Sequence, residues 1–179
     1  ALQEIRIKYR WQAIDRENEA IEKAKKNKKR FEPAVLVNGD TVKQLLARSR
    51  YFLYKNKSKW TANQLQRALL LFELYPDIKE AYNLSQGLRN IFENTTDKII
   101  GFARLAKWHE KVNQSGFKSF NTISRTIINH YQNILNYFDN RSTNASAESF
   151  NAKIKAFRSQ FRGVRNIEFF LFRLTNIYA

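Results

Sequence analysis

The sequence predicts an all-α protein, a multi-helix bundle of about eight helices, and three observations carry that prediction. Apolar residues recur at spacings of three and four along most of the chain, the period of a helix with one buried face. No segment alternates apolar and polar residues cleanly over a strand length. Five glycines and two prolines in 179 residues leave few chain breakers, so the connections are short. A hydrophobic fraction of 43% with 14% aromatic residues is too rich for intrinsic disorder.

Leu2, Ile5, Tyr9 and Ala13, continuing to Ile21 and Ala24, predict a long first helix that gives way to the basic run KAKKNKKRFEP. After the turn signal Asn38-Gly39, Asp40 is placed to cap a second helix carrying Val42, Leu45, Leu46, Ser49, Phe52 and Leu53. Thr61 caps a third, with Leu65, Ala68, Leu69 and Phe72 on one face and Pro76 as its stop. Pro76 also suits the first position of a fourth helix, where Asp77 complements the positive helix end and Ile78, Ala81, Tyr82, Leu88, Ile91 and Phe92 face inward. A fifth runs from Thr96 to about Val112, and a sixth from Ser119 through Ile123, Ile127, Tyr131 and Ile134 to Phe138. Asn144 caps a seventh, with Ala147, Phe150, Ile154, Phe157 and Phe161 at helical spacing and Gly163 as terminator. Asn166 to Tyr178 forms the eighth.

Lys and Arg number 32 against 16 acids, a net charge of +16 that favours a polyanionic partner, nucleic acid or an anionic surface. Without cysteine there is no disulfide framework, thiolate zinc site or Cys nucleophile. No apolar run approaches the roughly 18 residues of a spanning helix, and no secretory segment opens the chain, so a cytoplasmic protein is expected, with no membrane partner. The chain begins at Ala1 and contains no Met, which reads as an excised piece of a longer protein.

In the seventh helix one acid, Glu148, stands among Lys153, Lys155, Arg158, Arg162 and Arg165. Asn144 lies four residues before it, Asn151 three after and Lys155 seven after, so the four make one polar line along a helix. A carboxylate there suits a hard divalent cation, since Mg²⁺ takes one or two protein carboxylates and keeps other positions for water and phosphate oxygens. A lysine two turns away, about 10.5 Å along the axis, is placed to hold a nucleic-acid backbone. One carboxylate does not hold two metals, and a solvated helix glutamate is the alternative reading of the same residue.

The run NHYQNILNYFDNRSTNASAESFNAKIKAFRSQFRGVRNIEFFLFRL, Asn129 to Leu174, closely resembles the carboxyl end of bacterial DDE transposases of the ISL-three insertion-sequence family. The matching positions are Thr143, Asn144, Glu148, Asn151, Lys153-Ile154-Lys155, Gly163, Asn166 and Phe169-Phe170. LYKNKSKWT and LLFELYPDIKEAYNLSQGLRNIF look like the helical insertion of the same family. The resemblance implies an RNase H-like core, of which this chain lacks the β-sheet half. In it residues 1–140 are the helical insertion region, and residues 141–179 are the C-terminal core helices carrying the last acid. It implies that Glu148 is that final catalytic and metal-binding acid, with Mg²⁺ or Mn²⁺ as the metal in the intact parent. Lys155 would contact transposon-end DNA, with Asn144, Asn151, Lys153, Arg158 and Arg162 beside it. Two Asp would lie upstream of Ala1, leaving the fragment alone inactive. Transposon-end and target DNA are the implied partners, homodimerisation is left open, and a bacterial, nucleoid-associated location follows.

Other features carry bland readings as well as sharp ones. KAKKNKKR, Lys23 to Arg30, either grips phosphates or is a solvated helix end, and KNKSKW is similar, with Trp60 expected to pack against the bundle. His109 and His130 read as structural or surface histidines. Phe169, Phe170 and Phe172 exceed what one buried stripe needs; two-sided burial is the bland explanation, and an exposed aromatic face left without the catalytic sheet, with self-association, is the sharper one. Two other function classes stand beside the transposase: a non-catalytic basic helical domain that binds nucleic acid, and a helical interaction module whose charge keeps it in solution.

Overall fold

The computed structural model describes residues 1–141, 145–160 and 166–178; several side chains in the last two stretches, Glu148 and Asn151 among them, lie outside that description. Within it the chain is all helical: α1 (Leu2–Lys26), α2 (Val42–Arg48), α3 (Ala62–Leu74), α4 (Pro76–Asn94), α5 (Lys98–Ser115), α6 (Lys118–Asn129), α7 (Tyr131–Asn140), α8 (Ala145–Gln160) and α9 (Ile167–Tyr178). Short 3-10 turns at Ser49–Tyr51 and Lys57–Lys59 link α2 to α3, and an isolated bridge joins Val35 to Thr41. Two compact units are formed, Ala1–Phe138 and Asp139–Ala179.

In the first unit α1 packs on α2 and α4, and α4 also packs on α3 and α5. Leu45, Leu46, Leu53, Ala68, Leu71, Ile78, Ala81 and Val112 are wholly inaccessible to solvent and form the centre of the core. Arg6 of α1 is buried, and its guanidinium donates to the Leu46 carbonyl at 2.8 Å and to Gln3 Oε1 at 2.6 Å, which pins α1 to α2. Pro76 opens α4 with Asp77 behind it, and Ile78, Ala81, Tyr82, Leu84 and Ile91 are its buried face. Glycine matters at one crossing. A Cβ on Gly101 would lie 2.7 Å from two ring carbons of Phe138, so the Phe138 ring of α7 packs directly on the α5 backbone.

Local chemistry corrects several expectations. Thr41, not Asp40, caps α2: its hydroxyl accepts from Gln44 N while the Gln44 side chain accepts from Thr41 N. Asp40 turns inward instead. Asp97 caps α5, accepting from Ile100 N at 2.8 Å, and Gly116 ends it in the left-handed region at φ 69°. The expected sixth helix is two, α6 and α7, divided at His130, whose φ of −116° and ψ of 19° leave the helical well. On α3, Leu69 is exposed and Leu71 takes the buried position. On α6, Phe120 and Ser124 are buried while Ile123 faces solvent.

In the second unit Phe157 of α8 is buried against Phe170 of α9, with ring centroids 5.2 Å apart. Phe169 and Phe172 are exposed.

Candidate nucleic-acid interface

Phe157 and half-buried Ile154 fix which side of α8 faces inward, and Lys153, Lys155 and Arg158 are exposed. At 100° per residue Lys155 stands about 160° round the helix from Phe157, and the backbone position of Glu148 about 180°. Both therefore occupy the face away from the buried ring, two turns and about 10.5 Å apart along the axis. Arg158 lies about 60° from Lys155 on that same side, whereas Lys153 is about 40° from Phe157, off the line. Asn151 also sits on α8; Asn144 and Arg162 fall outside the described residues.

The described residues contain no group of three His, Asp or Glu side chains placed to hold a metal ion. His109 has both ring nitrogens occupied, Nδ1 by Ser124 Oγ at 2.6 Å and Nε2 by Asn113 Nδ2 at 2.9 Å. The amide donates, so Nε2 accepts and Nδ1 carries the proton, which makes His109 a structural link between α5 and α6. His130 is exposed. Trp60 is half-buried, donates from Nε1 to the Phe52 carbonyl at 2.8 Å, and packs its ring among Phe52, Phe72 and Tyr82.

Asp40, 1% exposed, is the electrostatic centre of the first unit. Its carboxylate accepts from Arg67 Nε at 2.7 Å, from Arg48 and from Asn38 Nδ2 at 3.0 Å. Burial alone would raise this carboxyl's pKa, but Arg67, Arg48 and Asn38 outweigh it and hold it below the ordinary value. Arg6 is pushed the other way from stability of its charge: burial first, then the nearby charges of Arg10 and Arg50, lower its pKa.

Sequence reasoning missed a basic groove between α4 and α5. Arg104, Lys107 and Lys111, spaced three and four apart, line the α5 side of a cleft of about 580 Å³ that the buried Trp108 also lines, with Glu80 the one acid on its α4 side. Arg104 is held by the Asn94 carbonyl at 3.1 Å and by Thr95 Oγ1 at 2.9 Å. The signal was present in RLAKWHEK, where Glu110 between the lysines masks the alignment until the sequence is wound at 3.6 residues per turn.

No curated protein and no solved structure matches the chain. The model of the family described as Transposase, the DDE transposases of ISL-three type, matches residues 2–174, nearly the whole length, α8 and its Glu148 and Lys155 included. With that match over helices that expose Lys155 and Arg158 on one side of α8, the chain belongs to the ISL-three family of DDE transposases.

Proposed function

We propose that this chain is the C-terminal part of a transposase that cuts and joins transposon-end DNA by metal-dependent phosphoryl transfer on an RNase H-like core. In this reading residues 1–140 are its helical insertion and residues 141–179 its last core helices. Glu148 supplies one carboxylate toward a divalent cation, Mg²⁺ or Mn²⁺. The family resemblance implies two Asp as the further acids of the site. Lys155 holds the DNA backbone, with Arg158, Lys153, Asn144, Asn151 and Arg162 around it. One observation supports the reading: α8 is a continuous helix over Ala145–Gln160, so the backbone positions of Glu148 and Lys155 lie two turns apart on the side of the helix opposite buried Phe157. A carboxylate for the cation and an ammonium for the phosphate backbone on one side of a helix suit a metal-dependent nucleic-acid site.

The test uses a transposase that contains this chain and a duplex carrying its transposon end. Glu148→Gln is expected to abolish Mg²⁺-dependent strand cleavage while leaving end binding within a few-fold. Lys155→Ala is expected to weaken binding and reduce its salt slope by about 0.9. Retained cleavage by Glu148→Gln would refute the assignment. The excess of 32 basic over 16 acidic residues favours a second reading, non-catalytic nucleic-acid binding, and that outcome would select it.

A further inference from the structure

Between Thr41 and Phe72 the chain has no acidic residue and seven basic ones, Lys43, Arg48, Arg50, Lys55, Lys57, Lys59 and Arg67. Two of the seven, Arg48 and Arg67, are engaged by Asp40, and Lys43 pairs with Glu17 at 2.8 Å. The other four gather at the connection between α2 and α3. Lys57 and Lys59 are exposed, and no carboxylate pairs with either among the described residues.

This connection also exposes two large aromatic rings. Tyr51 is 53% and Tyr54 57% accessible, while Phe52 and Leu53 between them are buried. The 3-10 helix of Ser49–Tyr51 runs into a hydrogen-bonded turn, with Phe52 N and Leu53 N both donating to the Ser49 carbonyl and Lys55 N to that of Phe52. The 3-10 winding ends at Tyr51, and Phe52, at φ −123° and ψ −25°, turns the chain so that both tyrosines reach solvent while Phe52 and Leu53 stay inside. The guanidinium carbon of Arg50 lies 4.5 Å from the Tyr51 ring centroid, and Lys55 Nζ lies 5.8 Å from that of Tyr54. Three contacts from outside fasten the turn: Trp60 Nε1 to the Phe52 carbonyl, Tyr82 hydroxyl to that of Lys55 at 2.9 Å, and Arg89 to that of Tyr54 at 2.8 Å.

We propose that the Ser49–Lys59 connection is a binding platform for single-stranded DNA, with Tyr51 and Tyr54 stacking on unpaired bases and Arg50, Lys55, Lys57 and Lys59 following the phosphates. Aromatic rings alternating with cations are what a flexible strand needs, because every base offers a π-face and every link a charge. A duplex hides its base faces, so the tyrosines select the unpaired form. An anionic membrane is the poorer fit: burying the rings in lipid would carry the cations over them out of water. The choice of DNA rests on the transposase reading; the stacking does not.

Fluorescence anisotropy with labelled oligothymidylate, and with a duplex of equal length, tests this on the chain of residues 1–179. Tyr51→Leu and Tyr54→Leu are each expected to weaken single-strand binding by about 5- to 150-fold with the salt slope unchanged, whereas Tyr→Trp at either position preserves it. Lys57→Gln and Lys59→Gln are each expected to lower the slope by about 0.7. Wild-type helicity by circular dichroism qualifies each variant, and the Trp variants show whether an aromatic face, rather than a fold, is what binding requires. No oligothymidylate binding by wild type overturns the proposal. So does equal weakening of single-strand and duplex binding in the Leu variants, or tyrosine-dependent binding to phosphatidylserine vesicles without oligonucleotide binding. Oligothymidylate binding and Mg²⁺-dependent strand cleavage are read in separate assays on separate variants, so failure here and failure of the cleavage assignment are separate results.

Discussion

Replacing Asp40 by Asn keeps the shape of the side chain and removes its charge, and the structure sets both the size and the pH dependence of the effect. The asparagine retains one acceptor oxygen but turns an amide N–H toward a guanidinium, donor against donor. Removing one partner of a buried ion pair costs about 3–5 kcal/mol. Arg48 and Arg67, with side chains 48% and 26% exposed, regain part of their hydration, which brings the expectation to about 2–3 kcal/mol near neutral pH. The folded pKa of Asp40 is depressed, so its contribution is complete above the unfolded value of about 3.9 and is lost as pH falls through the folded one. Urea unfolding followed by far-UV circular dichroism, from near neutral pH stepwise down to about pH 2, measures the gap between wild type and variant. A gap that is widest near neutrality and closes in acid supports the argument. A neutral-pH gap under about 0.5 kcal/mol, the range of ordinary surface substitutions, refutes it. A gap undiminished at the acid end refutes the charge as its cause.

Gly101→Ala should destabilise by about 1–3 kcal/mol in the same assay: helix propensity favours Ala by up to about 1 kcal/mol, but the new methyl meets Phe138, which is buried and stacked on Phe92, at 2.7 Å. Thr61→Ala should cost about 1 kcal/mol through loss of the α3 capping box, and Thr61→Ser should restore most of it. The Tyr9 phenol is pushed up to about 12, chiefly by its hydrogen bond to Asp77 and then by burial. Its contribution is therefore present below the unfolded pKa of about 10 and disappears as pH rises toward 12, so Tyr9→Phe should be the less stable protein at neutral pH and the gap should close over that alkaline window.

The helices were legible because their period is local. Pro76, Thr61 and the spacing of Ile78, Ala81, Tyr82 and Ile91 need no tertiary information to be read. Phase within apolar runs was not. Ala68 to Phe72 is apolar throughout, so which of Leu69 and Leu71 turns inward is decided by α2 and α4, not by spacing. Asp40 misled for a related reason: it is a good capping residue, but arginines 8 and 27 positions away draw it into the core and leave the cap to Thr41. Nothing punctuates the chain at His130, where α6 and α7 part without glycine or proline. The line from Glu148 to Lys155 follows from any continuous helix, so it was readable before its surroundings were. Tyr51 and Tyr54 were passed over because a buried pair separates them, and a tyrosine beside Phe and Leu reads as core until its neighbours are placed.

The three side chains that fasten the tyrosine-bearing turn have a kinetic consequence. Because Trp60, Tyr82 and Arg89 hold its carbonyls in place, the ordering of this backbone is complete once the chain has folded, and no loop remains to be arranged when a strand arrives. Capture is then a single bimolecular step. Its observed rate should rise linearly with protein concentration without reaching a plateau, and salt should act mainly on the speed of arrival, while the two rings govern how long the strand stays.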